Sequence, residues 1–180
     1  MDKPNLNLQR MKNVTDPYFE KVNLLYGLDQ LCQDINLNKN SVVLEVGCND
    51  GVSTSLFAYY ASKVICIDVY FSDSLKNEII PLYNNITFIH GNSVDKIQTM
   101  NDNFFDMIYI DADHSYDAVK KDISLSIPKL KSDGYMCGHD YDIHSKNDVY
   151  RAVNEIFGMP DKVYEDQSWV VNLQNIKNKK

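Results

Sequence analysis

Two short stretches of the chain hold the side chains best suited to chemistry. IDADHSYDAV, from Ile110 to Val119, carries Asp111, Asp113 and His114. GHDYD, from Gly138 to Asp142, carries His139, Asp140 and Asp142. Each stretch directly follows a short apolar run that reads as a β-strand. If those strands are neighbours, Asp111 and Asp140 converge on one spot. Close carboxylates repel unless a proton or a cation lies between them. A hard divalent ion with oxygen ligands at about 2.1 Å, Mg²⁺ or Mn²⁺, suits such a pair. The histidines, His114 and His139, can add a ligand. His114, with an ordinary imidazole pKa near 6.5, is in range for a general base. The competing reading is that these acids only cap helices and turns.

A second group of residues suits the binding of a nucleoside. LEVGCNDGVSTSL, Leu44 to Leu56, brackets a tight strand-to-helix turn between Gly47 and Gly51, with Glu45 two residues earlier. Glycine lets a ligand approach the backbone closely, and free amides at a helix start can hold a carboxylate. The spacing is GxxxG and not GxGxxG, so the dinucleotide fingerprint fails at its second glycine. About 20 residues beyond that turn, the run VICID ends at Asp68, where a carboxylate can accept the hydroxyls of an adenosine ribose. Gly91, Asn92 and Ser93 can form a turn facing an adenine, or Asn92 or Ser93 can simply cap the next helix.

These positions need a scaffold that brings strand ends together, and the pattern supplies one. A helix is expected from Asp16 to Asp34, with Asp16 as cap, Pro17 in the first turn, and Phe19, Val22, Leu25, Leu28 and Leu31 on one stripe. Strands are expected at Val42–Val46, Val64–Val69, Ile86–His90, Phe105–Ile110 and Tyr135–Gly138. Helices are expected between them at Gly51–Tyr60, Ser72–Pro81, Ser93–Met100 and Ser115–Leu130, and after them at Asp148–Phe157. Lys162–Glu165 and Trp169–Leu173 read as a hairpin. Alternating strands and helices imply a parallel sheet with helices on both faces, and continuous apolar strands such as VVLEV fit burial on both sides. The fold class is therefore α/β: a Rossmann-like, seven-stranded, mostly parallel sheet with a C-terminal antiparallel hairpin. Ligands of such sheets bind beyond the carboxyl ends of the strands. Residues 1–15 read as a flexible arm, 16–174 as one domain, and 175–180 as a frayed tail.

Composition narrows the function classes. The chain has 180 residues, a formal net charge of −7 and 44% hydrophobic residues, which suits one well-packed domain. The acidic balance argues against a nucleic-acid partner, because phosphate binding needs a basic surface. Cys32, Cys48, Cys66 and Cys137 form no CxxC pair and read as small buried hydrophobes in a reducing compartment. The N-terminus lacks the apolar segment of a signal peptide, and no apolar run approaches the ~20 residues needed to span a bilayer. A cytoplasmic protein without a membrane partner is expected, with oligomerisation open. Trp169 and the tyrosines are expected to pack in the core or the hairpin. Asp117 and Asp122 are expected to pair on the surface with Lys120 and Lys121.

In the order LEVGCNDG, CID, GNS, IDADHSYDAV and GHDY, the chain resembles class I S-adenosylmethionine-dependent methyltransferases over Ser41 to Leu173. It looks most like the small-molecule O-methyltransferases of the sugar and macrocin type and of the catechol and caffeoyl-CoA type. The resemblance implies S-adenosylmethionine as methyl donor and a hydroxylated small molecule as acceptor, with a divalent ion assisting. It implies donor contacts from Glu45, Gly47, Asn49, Gly51, Asp68, Asn92, Ser93 and Asp111. It implies metal ligands at Asp111 and Asp140, with His139 beside them, and His114 where catechol-type enzymes place a catalytic lysine; His114 and Asp111 are the expected catalytic pair. Two positions depart from the pattern: Tyr141 replaces an asparagine that often follows the second ligand, and His139 replaces an acid. Extra N-terminal helices lid the site in this family, which would involve Tyr18 and Phe19. An NAD-dependent oxidoreductase, a non-catalytic donor-binding subunit and a purely structural domain are the competing functions.

Overall fold

The computed structural model describes residues 26–177, with side chains described through residue 175. Most of the expected first helix, with Asp16, Pro17, Tyr18 and Phe19, lies outside the described residues, as does the 1–15 arm. Its described part is α1 (Tyr26–Asp34). Then follow β1 (Val42–Val46), α2 (Val52–Tyr60), β2 (Lys63–Asp68), β3 (Ile86–His90), α3 (Ser93–Gln98), β4 (Phe105–Ile110) and α4 (Tyr116–Ser126). The chain continues through β5 (Leu130–Gly138), α5 (Asp148–Phe157), β6 (Lys162–Val163), β7 (Trp169–Asn172) and a short α6 (Leu173–Lys177).

The seven strands form one sheet in the order β3-β2-β1-β4-β5-β7-β6. The five from β3 to β5 run parallel, and β7 is antiparallel to both β5 and β6. This is the expected Rossmann-like sheet with a closing hairpin. The strand order reverses between β1 and β4, so the crevice at the carboxyl ends of β1, β2, β4 and β5 is the natural ligand site.

Strand periodicity of two decides which face each residue serves. In β1, Val43 joins the layer of α1 and α2 with Leu31 and Phe57, while Leu44 and Val46 join the layer of α4 and α5 with Ile123 and Val153. By the same alternation Glu45 shares the face of Val43 and points at α2. Both layers are buried, which is why VICI is continuously apolar and VVLEV is apolar apart from Glu45. Trp169 is fully buried in the α4/α5 layer, as expected for packing, and all four cysteines are buried and free. Among the described residues no helix is long and apolar enough to cross a membrane.

Several boundaries differ from the pattern-based expectation. The helix expected over Ser72–Pro81 is a wide turn at Leu75–Ile79, closed by Ile80 N–H to the Leu75 carbonyl, followed by a 3₁₀ turn at Ile80–Leu82. Pro81 has no N–H to extend a regular α-helix and sits inside the 3₁₀ turn instead. Pro128 acts similarly, so α4 stops at Ser126 and a 3₁₀ turn covers Ile127–Lys129. β5 starts five residues early, because Leu130 pairs with Phe105 before a register shift brings Tyr135 opposite Met107. Asp122 is not a surface residue: it is 2% exposed and accepts a hydrogen bond from Ser93 Oγ at 2.7 Å.

Candidate active site

The first part of the site is made largely of backbone. Gly47 has φ +87°, Asn49 φ +41° and Gly51 φ +83°, so the turn between β1 and α2 is built on left-handed positions. A Cβ at Gly47 would lie 2.2 Å from the carbonyl oxygen of Asp111, so only glycine fits where β1 and β4 end side by side. Asp68 organises the turn from β2. Its Oδ2 accepts N–H groups from Cys48 and Asn49, both at 2.9 Å, and its Oδ1 accepts from Tyr70 at 2.9 Å. Asp68 remains partly exposed at the rim, beside the exposed Val69 and Tyr70.

Glu45 stands beneath this turn and not in it. It is fully buried, and its two oxygens accept hydrogen bonds from Ser53 Oγ and from Thr54 Oγ1, the latter at 2.6 Å. Burial pushes its carboxyl pKa up to about 8 against the opposing pull of those hydroxyls. The sequence pattern pointed to Glu45 but missed its supports. Ser72 was missed too: its Oγ donates to the Asn49 carbonyl and accepts from Leu75 N–H, both at 3.0 Å, which ties the wide turn to the glycine loop. The expected helix starts at Ser72, but nothing in the spacing shows that its hydroxyl also reaches back to the glycine loop.

The β3–α3 turn takes the capping arrangement. Asn92 is the N-cap of α3 and its side chain accepts from Val94 N–H at 2.9 Å. Ser93 gives its hydroxyl proton to Asp122 on α4. Neither side chain is left idle, although both sit at the carboxyl edge of β3.

The second part is a cluster of side chains on the loops after β4 and β5. Asp111, His139 and Asp140 each present a ligand-type atom, and these atoms lie within 4.8 Å of one another. His114 Nε2 sits between the carboxylates, 3.3 Å from Asp111 Oδ1 and 3.2 Å from Asp140 Oδ2. His139 Nδ1 lies 3.4 Å from Asp140 Oδ2. The neighbouring acids do something else: Asp113 caps Ser115 N–H at 2.9 Å, and Asp142 caps His144 and Ser145 N–H groups.

Environment pulls the two central carboxyls apart. Burial raises Asp111 above the ordinary aspartate value, outweighing the hydrogen bond from His114. The hydrogen bond from His139 lowers Asp140 against its own partial burial. Burial disfavours the charged form of His139, but the Asp140 hydrogen bond and the charge of Asp111 win and lift it to about 8. The hydrogen bond to Asp111 raises His114 above 6.5, against a smaller burial effect. Carboxyls pushed in opposite directions, beside two imidazoles held toward their protonated form, suit acid–base chemistry; ligation of a cation would need the imidazoles deprotonated.

Tyr141, at the position of the expected asparagine, is buried and its hydroxyl accepts from Asn154 Nδ2 at 2.6 Å. It serves the packing of α5. The two parts of the site touch through Gly47 and Asp111, so a ligand lying on the glycine turn meets the Asp–His cluster directly.

Comparison with known proteins agrees with this geometry. A methyltransferase domain family model matches residues 44–141, from the end of β1 through the Asp140 loop. Among solved structures, an S-adenosylmethionine-dependent methyltransferase from Aquifex aeolicus is 15% identical, covers 90% of this chain and 97% of its own, and superposes with a TM-score of 0.60. A Staphylococcus aureus protein described as a candidate caffeoyl-CoA O-methyltransferase is 21% identical, with 79% and 78% covered and a TM-score of 0.59. The YcgJ protein of Bacillus subtilis is 19% identical with a TM-score of 0.54; the match covers 63% of this chain but about half, 49%, of that one. At such identities the likeness establishes the fold, while the family match spans more than half of the sequence and contains both parts of the site. The chain belongs to the methyltransferase domain family.

Proposed function

We propose that the protein transfers a methyl group from S-adenosylmethionine to a hydroxyl of a small molecule. The observation that carries this reading is the junction of the two parts: the glycine turn, organised by Asp68, abuts a cluster of two carboxylates and two imidazoles across the Gly47–Asp111 contact. The donor supplies a methyl group on a cationic sulfonium. Gly47, Asn49 and Gly51 give its amino-acid end close backbone approach. Asp68 accepts a ribose hydroxyl at Oδ1, which has fewer partners than Oδ2. Glu45 keeps the loop in shape from below, and Asn92 and Ser93 border the adenine through a capped helix start.

Methyl transfer of this kind is an in-line displacement, so much of the rate comes from holding the acceptor oxygen in position. Asp111 and Asp140 hold the acceptor hydroxyl, and His114 takes its proton at Nε2. The oxygen and imidazole donors of Asp111, Asp140 and His139 suit Mg²⁺ or Mn²⁺, which would polarise that hydroxyl when bound. Without a metal, a protonated His114 would offset part of the negative charge of the two carboxylates, and it must shed that proton before Nε2 can accept the one from the acceptor hydroxyl.

The test is transfer of a labelled methyl group from S-adenosylmethionine to a panel of sugars, catechols and hydroxylated natural products, with and without EDTA. Labelled product from one acceptor class supports the reading, and EDTA sensitivity separates the metal-assisted from the metal-free variant. A panel with labelled N-methyl products alone contradicts the hydroxyl assignment.

A further inference from the structure

The turn between β6 and β7 lies far from the acidic cluster in sequence, yet it grips that cluster on both sides of Asp140. Asp140 has φ +58°, a left-handed conformation that costs a non-glycine residue on the order of 1 kcal/mol or more unless its surroundings hold it. Tyr141 N–H, just after it, donates to the Gln167 carbonyl at 3.1 Å. Trp169 Nε1–H donates to the His139 carbonyl, just before it, at 3.3 Å. The turn is itself tight, with Tyr164 N–H on the Ser168 carbonyl and Gln167 N–H on the Tyr164 carbonyl. At its centre is Asp166, a 5% exposed carboxylate that takes no part in the proposed chemistry.

Asp166 links this turn to α1, a helix distant in sequence. Its Oδ1 accepts Ser168 N–H at 3.0 Å, which shapes the turn from within. Its Oδ2 accepts Leu28 N–H of α1 at 2.7 Å. Gly27 lies flat on the carboxylate: a Cβ there would fall 2.1 Å from Oδ1. Since Gly27 has no left-handed φ, close approach and not backbone freedom explains the glycine.

We propose that Asp166 is a positioning residue: it anchors α1 to the β6–β7 turn and, through that turn, fixes Asp140 in the left-handed conformation that aims its carboxylate at Asp111 and His114. The inference rests on the reading of Asp140 as an acceptor-side group. It assigns a role in the site to a buried carboxylate and a glycine that carry no recognisable motif. It also makes the docking of α1 a condition for an ordered acceptor site.

The test uses Asp166→Ala and, as a milder variant, Asp166→Asn, with Trp169→Phe removing the bond to His139 along with part of the buried indole. The readouts are amide exchange and histidine ring NMR signals. The chain has four histidines, of which His90 and His144 lie outside the cluster and act as internal controls. The expected result for Asp166→Ala is faster exchange at Leu28, Ser168 and Tyr141, by about tenfold for the loss of one hydrogen bond. Exchange at Cys48 and Asn49 stays unchanged, and the His114 and His139 signals shift while those of His90 and His144 stay put. Asp166→Asn gives the same pattern more weakly and decides the matter if Asp166→Ala does not fold; Trp169→Phe moves the His139 and His114 signals through the turn's other contact. A role confined to anchoring α1 would alter Leu28 and Ser168, with a His139 shift from the lost Asp166 charge alone; wild-type Tyr141 exchange and His114 signals in a folded variant would overturn the proposal. Calorimetry of wild-type protein with S-adenosylhomocysteine is run beside it. Absence of binding there counts against the methyltransferase reading, whereas the exchange and NMR results judge the clamp independently.

Discussion

The two halves of the site are built from different materials. On the β1–β2 side the working surface is backbone: left-handed positions at Gly47, Asn49 and Gly51, with loop amides gathered by Asp68. On the β4–β5 side it is side chain: two carboxylates and two imidazoles within hydrogen-bonding range of one another. A backbone site is pre-formed by the fold and tolerates little change at its glycines. A side-chain site depends on supports that arrive from elsewhere, here Trp169, Gln167 and Asp166. The contrast teaches that affinity for the donor and turnover of the acceptor should respond to separate sets of substitutions.

The largest effect is expected where the halves meet. Gly47→Ala places a Cβ against the Asp111 carbonyl at a position with φ +87°. It should cost about 3 kcal/mol or more in urea unfolding and abolish donor binding. A loss below about 1 kcal/mol would mean that the two loops are not in contact.

Next comes the pair that separates the halves. Asp111→Asn should lower kcat about 100-fold at saturating donor while changing S-adenosylhomocysteine affinity less than about threefold. Asp68→Ala should do the reverse, weakening donor binding by about 10- to 100-fold as charged hydrogen bonds are lost. If both substitutions acted mainly on kcat, or both mainly on affinity, the division would fail.

How much of this was legible in the sequence follows the same division. Glycine spacing, the acid about 20 residues on and the alternating apolar runs announce a backbone site, and the sheet order agreed with them. The Asp111, His139 and Asp140 grouping could be inferred because the acids follow two strands that turn out to be neighbours. Its supports could not. Asp166 and Gly27 sit in ordinary polar and helical text, and their pairing across 138 positions between Leu28 and Asp166 exists only in the folded chain. The irregular turns at Pro81 and Pro128 were misread because apolar periodicity does not distinguish α from wider or tighter coils. The burial of Asp122 is not legible in the sequence because its partner, Ser93, belongs to another helix, α3.

A smaller effect tests the floor beneath the donor loop. Glu45 is lifted from 4.5 to about 8 by burial. The folded state therefore holds its proton where the unfolded state has lost it. Its contribution is fully present below about pH 4.5 and falls as pH rises through about 8, with a limiting slope of about 1.4 kcal/mol per pH unit. Glu45→Gln should flatten that part of the stability profile between pH 5 and about 8, measured as urea midpoints against pH, and should leave donor affinity nearly intact. A strong loss of donor affinity would instead make Glu45 a direct contact.

The smallest effect concerns Asn92. As the N-cap of α3 it should cost about 1 kcal/mol of stability when changed to Ala, with little change in S-adenosylhomocysteine binding. A large affinity loss would move Asn92 into the adenine contact set.

Titration calorimetry with S-adenosylhomocysteine, on ligand-stripped wild-type and Asp68→Ala protein, addresses the central claim most directly. The account predicts one site per wild-type chain and binding at least about tenfold weaker in the variant. Folded wild-type protein that gives no heat with S-adenosylhomocysteine or S-adenosylmethionine, or a variant that binds as tightly as wild type, would contradict it.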